Sequence, residues 1–294
     1  MRVIRDRYEL TAPLATGGMG VLWEGRDQRL NRPIAVKLIR RDGAVRGDEA
    51  TRRFYREARI TARIRHPGVP TVHDFGTAGD EVYLVMEQVT GHTTADLIAE
   101  LERIPVGWAV AITAQVSAVL AAAHQLSLIH RDLKPSNIMI GLDGSVTVLD
   151  FGLAAALGLD EFSQITLSGE IPGTACYLAP EVIDGDPASP RSDLYSLGCL
   201  LYELLTGTCA VAAGSRSLRP AIEARPDVHP QLAALVAELL AKNSDERPPD
   251  ARDVFTRLLP FVTGLAPIPG ITQPGTRTSP TQMYATVQER ISRS

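Results

Sequence analysis

The chain has 294 residues, of which 45% are apolar and 22% charged, and a formal net charge of -4. This length can bury a sizeable core and allows one or two domains. This slightly negative net charge gives no basic surface of the kind that binds nucleic acid or an anionic membrane. Residues 1–9 lack the apolar region of a signal peptide, and three cysteines are too few for a disulfide framework. We therefore expect a reducing, cytoplasmic setting.

Residues 7–23 predict a β-rich start with a glycine-rich turn. Gly17, Gly18 and Gly20 fall between the two predicted strands. Glycines at a hairpin turn let backbone N–H groups approach a phosphate, because no Cβ stands in the way. Such a turn is a weak signal by itself, and an ordinary glycine turn explains it equally well.

The next predicted strand, residues 34–39, is apolar and rich in β-branched residues except for Lys37. A lysine inside a buried strand is costly unless a carboxylate or a phosphate pairs with it. The alternative is a lysine that extends from an edge strand into water. Apolar side chains at three- and four-residue intervals then predict a helix over residues 50–64, and strands follow at residues 71–75 and 81–86.

Residues 104–129 contain no Asp, Glu, Lys or Arg, and this length could span a bilayer. Polar residues such as Gln115 and Ser117 interrupt the run, and Pro105 suits the start of a helix. We therefore interpret the run as a helix buried in protein and expect no membrane segment in this chain.

The strongest motif is His-Arg-Asp-Leu-Lys-Pro-Ser-Asn at residues 130–137, followed by Asp-Phe-Gly at residues 150–152. Residues 138–149 predict a short hairpin that brings Asp150 back beside Asn137. Two carboxylates, an amide and two cations thereby meet near one cleft. This set suits phosphoryl transfer, in which a protein positions a hydroxyl and neutralises a triphosphate with metal and cationic side chains.

Each polar side chain of the motif suits one part of that chemistry. Asp132 can orient a hydroxyl or accept its proton, which is worth about 10²–10⁴ in rate for a well-placed base. Asn137 and Asp150 offer hard oxygen ligands for Mg²⁺, which takes only one or two carboxylates from a protein. Lys134 can reach the transferred phosphate. Lysine occurs only at positions 37, 134 and 242, so two of the three lysines fall at these candidate positions.

The octapeptide with Asp-Phe-Gly behind it resembles the catalytic loop and metal-binding motif of eukaryotic-like protein kinases. The resemblance implies an α+β, two-lobed protein kinase fold. A small β-rich lobe with one regulatory helix would occupy residues 1–89, and a larger, mainly helical lobe residues 90–263. Residues 264–294, rich in Pro, Thr and Ser, are expected to form a flexible tail.

The resemblance also implies a cleft that binds ATP with Mg²⁺ or Mn²⁺. Lys37 would contact the α and β phosphates and pair with Glu57 of the regulatory helix. The resemblance assigns the catalytic roles to Asp132 and Lys134. The positions that the resemblance assigns to nucleotide binding are Leu14, Gly17, Gly20, Leu22, Ala35, Lys37, Glu57, Met86, Glu87 and Val89.

Within that set, the backbone of Glu87 and Val89 would bind adenine as the hinge between the lobes, and Met86 would close the pocket behind it. A methionine at the end of a strand is more often an ordinary core residue. Ala15 and Leu22 depart from the family's glycine-rich loop, which has Gly and Val at these positions.

Residues 150–181 resemble an activation segment that ends in Ala-Pro-Glu at residues 179–181. Thr166 and Ser168 lie where such kinases are commonly phosphorylated, and Arg131 would clamp the added phosphate and order the segment. The alternative is that both hydroxyls are only solvated.

Residues 193–207 predict a central helix, because they are apolar nearly all round. Asp193 at its start is expected to accept backbone N–H groups of the catalytic loop. Arg247 resembles the partner of Glu181 in a buried ion pair. Residues 208–214 replace the Pro-Phe pair of the family and leave its substrate-docking region shortened.

Taken together, the motifs resemble a bacterial Hanks-type serine/threonine protein kinase. The resemblance implies transfer of the ATP γ-phosphoryl group to protein hydroxyls, autophosphorylation of the activation segment, and pairing of two copies through their small lobes. One alternative is a pseudokinase scaffold, suggested by Ala15 and by the shortened docking region. Another is a small-molecule phosphotransferase, although such enzymes usually lack the long segment that ends in Ala-Pro-Glu.

Overall fold

The computed structural model describes residues 2–17, 20–40, 48–101, 104–151, 176–210, 220–262, 265–272, 281 and 284. The strands are β1 (Arg2–Ile4), β2 (Tyr8–Gly17), β3 (Gly20–Asp27), β4 (Arg32–Arg40), β5 (Val72–Ala78), β6 (Glu81–Met86), β7 (His92–Thr93), β8 (Ile138–Ile140) and β9 (Val146–Val148). The α-helices are α1 (Asp48–Thr61), α2 (Thr94–Glu100), α3 (Val106–Gln125), α4 (Pro180–Ile183), α5 (Pro190–Thr206), α6 (Ala221–Ala224), α7 (Pro230–Leu239) and α8 (Ala251–Leu258). Short 3-10 turns lie at Pro135–Asn137, Ser244–Glu246 and Leu259–Phe261.

The N-terminal part is an antiparallel sheet of six strands in the order β1-β2-β3-β4-β6-β5. Side chains alternate between its faces along β4. Ile34, Val36 and Leu38 belong to a core cluster on one face. Ala35 and Ile39 pack with Phe54 of α1 on the other face. Lys37 belongs by this alternation to the face that α1 covers, so it points into the protein.

The larger part is helical and is built around α3 and α5. Their side chains are the largest contributors to one hydrophobic cluster, to which α7 and α8 also contribute. In the described part of the chain, α3 alone is long and apolar enough to cross a membrane, and 89% of its most apolar window is buried inside the protein. The expectation of a buried core helix is therefore met.

A three-stranded antiparallel sheet, β7-β8-β9, lies where the helical part begins. The β8–β9 hairpin turns at Gly144, whose φ of 81° suits glycine. The hairpin returns the chain to its starting point, because Leu149 N donates to Asn137 O at 2.8 Å. Asn137 and Asp150 are thus neighbours in space, as the sequence predicted.

The β-rich part followed by a larger helical part confirms the α+β, two-lobed architecture. Two sequence expectations differ from the structure. Cys176 and Cys209 are joined as a disulfide, with their Cα atoms 6.7 Å apart, although we expected no disulfide. Tyr284, from the segment expected to be a flexible tail, is 1% exposed in the helical core.

Candidate active site

Asp193 at the start of α5 anchors the loop that carries the octapeptide. Its carboxylate accepts hydrogen bonds from His130 N at 2.9 Å and Arg131 N at 3.0 Å. His124 Nε2, from the last turn of α3, lies 2.8 Å from the same carboxylate. Burial would raise the pKa of Asp193, but His124 and the loop outweigh it and lower that pKa. The bonds expected from the sequence are present, and α5 holds the loop in place.

His130 joins this loop to the segment that carries Asp150. Its ring is fully buried, and Nε2 lies 2.8 Å from Leu149 O while Nδ1 lies 3.3 Å from Asp132 N. These partners place the ring proton on Nε2, because Nδ1 must accept from a backbone N–H. The ring also contacts Phe151, with centroids 4.7 Å apart. The two motifs are therefore in direct contact through this ring.

Two side chains converge on the carboxylate of Asp132. Lys134 Nζ lies 2.9 Å from Oδ1, and Asn137 Nδ2 donates to Oδ2 at 3.0 Å and to the backbone O at 2.7 Å. The side chains of Asp132 and Lys134 are 10% and 14% exposed. A carboxylate held in this way keeps one orientation, which general-base catalysis requires. The structure brings together all three residues that the sequence placed here.

Asp150 pairs with Lys37 from β4, with Nζ and Oδ2 2.9 Å apart. Burial would raise the pKa of Asp150, but the charge and hydrogen bond of Lys37, with His130 and Lys134 nearby, lower it below the ordinary value. The carboxylate is therefore ionised at neutral pH, which a divalent cation requires of its ligand.

Asn137 and Asp150 offer hard oxygen ligands for a divalent cation. Asn137 is 8% exposed, and its amide nitrogen is occupied by Asp132, so the amide oxygen is the free ligand atom. Within the described ranges no group of three or more His, Cys, Asp or Glu could hold a metal. A site of one carboxylate and one amide oxygen suits Mg²⁺, which completes its shell with phosphate oxygens and water.

The predicted ion pair between Lys37 and Glu57 is wrong for this structure. Glu57 on α1 instead lies 3.9 Å from Arg131 Nη1, with side chains 16% and 32% exposed. The ammonium of Lys37 pairs with Asp150 instead. Arg131, expected to clamp a phosphate, faces Glu57. Thr166 and Ser168 lie outside the described residues.

The residues expected to cover adenine share one apolar cluster. Ala35 and Met86 are both buried, face each other across β4 and β6, and pack with Leu22 of β3. Leu22 lies opposite Lys37, so the apolar surface leads to the cation. Leu14 is 50% exposed. An aromatic base could pack against this apolar cluster, and a negatively charged group of the same ligand would then lie near Lys37.

The hinge after Met86 leaves specific backbone groups for a ligand. Glu87 N donates to Thr71 O at 2.9 Å, and the Glu87 carboxylate accepts from Thr71 N at 3.1 Å. The backbone of Glu87 therefore offers only its carbonyl. Within the described part of the chain, no hydrogen bond engages the backbone of Val89. One acceptor and one donor are thus available two residues apart.

The glycine-rich turn needs glycine at Gly20 for a steric reason. Its φ is 123°, and a Cβ there would lie 2.1 Å from Leu38 O. Gly17 pairs with Gly20 across the turn. Residues 18 and 19 lie outside the described ranges. Ala15 faces Leu22 across a register shift in β2, so the sequence departures at these two positions are neighbours.

A second set of contacts fixes the end of the segment 150–181. The guanidinium of Arg247 makes two bonds of 2.7 Å to the carboxylate of Glu181. Burial would raise the pKa of Glu181, but Arg247 and Ser192 lower it overall. The ion pair expected from the sequence is present. Tyr177 is bonded through its hydroxyl to Glu203, and its carbonyl accepts from Ser196 Oγ at 2.8 Å.

Sequence reasoning missed two supports of the catalytic loop. His124 braces Asp193, and Thr94 of α2, fully buried, donates through Oγ1 to Pro135 O at 2.9 Å. His124 is the only histidine of α3, which was a usable signal. Nothing in the sequence around Thr94 distinguishes it from an ordinary helix start.

A β-sheet lobe with an inward lysine, a helical lobe with a braced aspartate, and two oxygen ligands beside them define a protein kinase. The chain belongs to this family: the protein kinase domain matches residues 8–259.

Similar proteins are bacterial kinases. Serine/threonine-protein kinase PknB of Mycolicibacterium smegmatis is 40% identical over 278 residues, which cover 90% of this chain and 44% of PknB. PknL of Mycobacterium tuberculosis is 40% identical over 85% of this chain and 64% of its own length. This chain therefore spans less than two thirds of both relatives. A crystal structure of the PknI kinase domain of M. tuberculosis, in a mutant form, matches with a TM-score of 0.73 and 26% identity, over 89% of this chain and 98% of that one.

Proposed function

We propose that the chain is a serine/threonine protein kinase that transfers the γ-phosphoryl group of ATP to protein hydroxyls. The observation that carries this proposal is the carboxylate of Asp132, held by Lys134 at 2.9 Å and Asn137 at 3.0 Å beside the Lys37–Asp150 pair. The names of the relatives, PknB and PknL, support the serine/threonine class.

In this proposal the oxygen of the substrate hydroxyl attacks the γ-phosphorus as the bond to the bridging oxygen breaks, and ADP leaves. Asp132 orients the hydroxyl and receives its proton. Lys134 contacts the transferred phosphoryl oxygens, and Lys37 contacts the α and β phosphates. A lysine suits these positions, because a compact ammonium can follow a phosphate as it moves.

The cofactor of the proposed reaction is Mg²⁺, with Mn²⁺ as a substitute. A divalent cation neutralises the charge that develops on the triphosphate. Asn137 Oδ1 and the carboxylate of Asp150 would hold it. Adenine would lie among Leu22, Ala35 and Met86 and bond to the hinge at Glu87 O and Val89 N. We place this reaction in the cytoplasm, where ATP is made.

The first experiment is intact-mass analysis and peptide mapping of the purified protein after incubation with ATP and Mg²⁺, with myelin basic protein as a generic acceptor. Asp132→Asn tests the base, and Asp186→Asn, at an exposed position, is the matched control. We expect phosphate on the acceptor, and on Thr166 or Ser168, with the wild type and the control only. Measurable ATP binding without any phosphate transfer would instead favour the pseudokinase scaffold.

We also propose that two copies associate through their small lobes. Val3 and Leu30 are 44% and 58% exposed, and both lie in the β-rich part. Single exposed apolar side chains are common on monomers, so the proposal rests on the pairing through this lobe that the family resemblance implies, and Leu30 is the position chosen to test it. Sedimentation of the wild type against Leu30→Asp tests this: we expect the variant to remain monomeric at concentrations where the wild type associates. A monomeric wild type would reject the proposal.

A further inference from the structure

Two of the three cysteines are joined at the edge of the helical lobe. Cys176 lies at the end of the segment 150–181, and Cys209 follows the last turn of α5. They are 33 residues apart in the chain, with Cα atoms 6.7 Å apart. Both residues are half-buried. Cys199 of α5 is fully buried and free.

The disulfide connects the end of the segment 150–181 to the chain just after α5. Gly207 closes α5 with a φ of 74°, and its N–H donates to Glu203 O at 2.7 Å. Cys209 follows two residues later. On the other side, Tyr177 is bonded to α5 through its hydroxyl and its carbonyl. Cys176 is the residue just before this attachment, so its bond extends the fixed part of the segment.

The bonded form also carries an incomplete catalytic arrangement. Protein kinases need the lysine of the sheet paired with the glutamate of the regulatory helix during transfer. Here Lys37 pairs with Asp150 at 2.9 Å, and Glu57 faces Arg131 at 3.9 Å. Arg131 is adjacent to Asp132, and the segment 150–181 connects Asp150 with Cys176. A crosslink at Cys176 holds one end of that same segment.

We propose that Cys176 and Cys209 form a reversible redox site, and that its oxidised form phosphorylates protein substrates more slowly than its reduced form. This inference rests on the proposed kinase function. The proposed redox site also gives a role to a sequence difference after α5, where Thr208 and Cys209 replace the family's Pro-Phe pair.

The oxidant belongs to the hydroperoxide class. One cysteine thiolate attacks the peroxide oxygen, which gives a sulfenic acid and one water. The second thiol displaces the hydroxyl group of the sulfenic acid, which forms the S–S bond and a second water. Two thiols thus lose two protons and two electrons to one hydrogen peroxide. A dithiol reverses the change by thiol–disulfide exchange.

Cys199 provides an internal comparison. Burial raises the pKa of its thiol far above the ordinary value. The thiolate is the reactive form, so this cysteine is inert toward peroxide. Oxidation is therefore directed to the half-buried pair.

The experiment treats the full chain with hydrogen peroxide, removes the oxidant, and divides the sample between buffer and dithiothreitol. Non-reducing peptide mapping reports the Cys176–Cys209 link, and phosphorylation of myelin basic protein reports activity. We expect the rate to fall by roughly 5-fold or more, a common size for coupling between sites, and to recover with dithiothreitol. Cys209→Ser should keep the reduced wild-type rate and not respond to peroxide, whereas Cys199→Ala should respond as the wild type does.

Each other outcome overturns the inference. A peptide map that lacks the link after peroxide treatment rejects the site. A link without a change in rate rejects its effect on substrate phosphorylation. Equal inhibition of Cys209→Ser assigns the effect to another residue. If the reduced wild type phosphorylates nothing, the proposed kinase function fails and the effect on rate fails with it, while the map separately reports whether the pair responds to oxidation.

Discussion

At the scale of single residues, the site depends on how charged groups are divided among partners. The carboxylate of Asp132 contacts Lys134 and Asn137, and the carboxylate of Asp150 contacts Lys37. Each carboxylate therefore faces a cation of its own, although the two lie in one cleft. This division suits one carboxylate to act on a proton and the other to bind a metal, since both must be ionised for those roles.

Asp132→Asn is expected to lower the rate of phosphoryl transfer by about 10²–10⁴, the usual contribution of a positioned general base. The amide can still accept a bond from Lys134, so ATP affinity should change little. Steady-state kinetics with a peptide acceptor and a nucleotide-binding titration separate the two effects. A loss of affinity as large as the loss of rate would place Asp132 in nucleotide binding rather than in catalysis.

Lys37→Met is expected to raise the pKa of Asp150 above its wild-type value. Burial already raises that pKa, and Lys37 is the main group that lowers it. A carboxylate with a lowered folded-state pKa contributes stability above its unfolded pKa and loses it as the pH falls through the folded value. A raised folded-state pKa shrinks this contribution, so the variant should lose less stability than the wild type as the pH falls.

Thermal unfolding between about pH 2 and pH 7 tests this difference, because the stability from a lowered carboxyl pKa is lost between its unfolded-state and folded-state values. Lys242→Met is the matched control: Lys242 is exposed, and it is the remaining lysine outside the site. The same pH dependence in both variants would show that Lys37 does not govern the titration of Asp150.

At the scale of elements, local pattern predicted most of the framework. The charge-free run predicted α3, and the apolar strand around Lys37 predicted β4, because burial follows directly from side-chain type. The catalytic set also assembled as expected, since the β8–β9 hairpin returns the chain by its own geometry. The pairing of Glu57 was not predictable, because a helix position specifies a face and not which of two cations lies nearest.

The Glu181–Arg247 pair attaches α4 to the turn after α7. Arg247 is 3% exposed and also donates to Ala241 O at 2.9 Å and Arg191 O at 2.9 Å. Arg247→Met would leave the carboxylate and these carbonyls without their donor. We expect a loss of about 3–5 kcal/mol in the free energy of unfolding, the usual cost of breaking a buried pair.

Arg257→Met is the matched control, because Arg257 bonds Glu238 with the same two-bond geometry at 2.6 and 2.7 Å. Its side chain is 36% exposed and that of Glu238 is 41% exposed. Exposed pairs contribute about 0–1 kcal/mol. Urea unfolding of both variants measures the difference, and equal losses would show that burial does not decide the strength of these pairs.

At the scale of the whole molecule, residues distant in sequence complete the structure. Tyr284 lies in a segment whose composition predicted flexibility, yet its hydroxyl donates to Val146 O at 2.6 Å and its ring meets His66 with centroids 4.8 Å apart. Composition averages over a segment and cannot identify a single anchoring side chain. For the same reason, three cysteines gave no indication that two of them meet across 33 residues.

Tyr284 connects two parts of the machinery. His66 and Gly68 lie between α1, which carries Glu57, and β5, and a Cβ on Gly68 would lie 3.0 Å from the Tyr284 ring. Val146 begins β9, which leads to Asp150. Val148 N also donates to Gly68 O at 2.8 Å, so these parts already touch. The tyrosine packs against both sides of that junction.

Tyr284→Ala is therefore expected to speed amide hydrogen exchange around residues 66–69 and 146–148, where the ring now excludes water. Burial lowers the pKa of His66 to about 4, so this histidine is neutral at pH 7 and gains no charge in the wild type. Exposure would raise its pKa toward the ordinary value, which NMR titration can follow.

Tyr284→Phe keeps the ring and loses only the bond to Val146, at a cost of about 0.5–1.5 kcal/mol, and should leave the pKa of His66 low. Exchange in the alanine variant that matched the wild type would show that Tyr284 does not protect this junction.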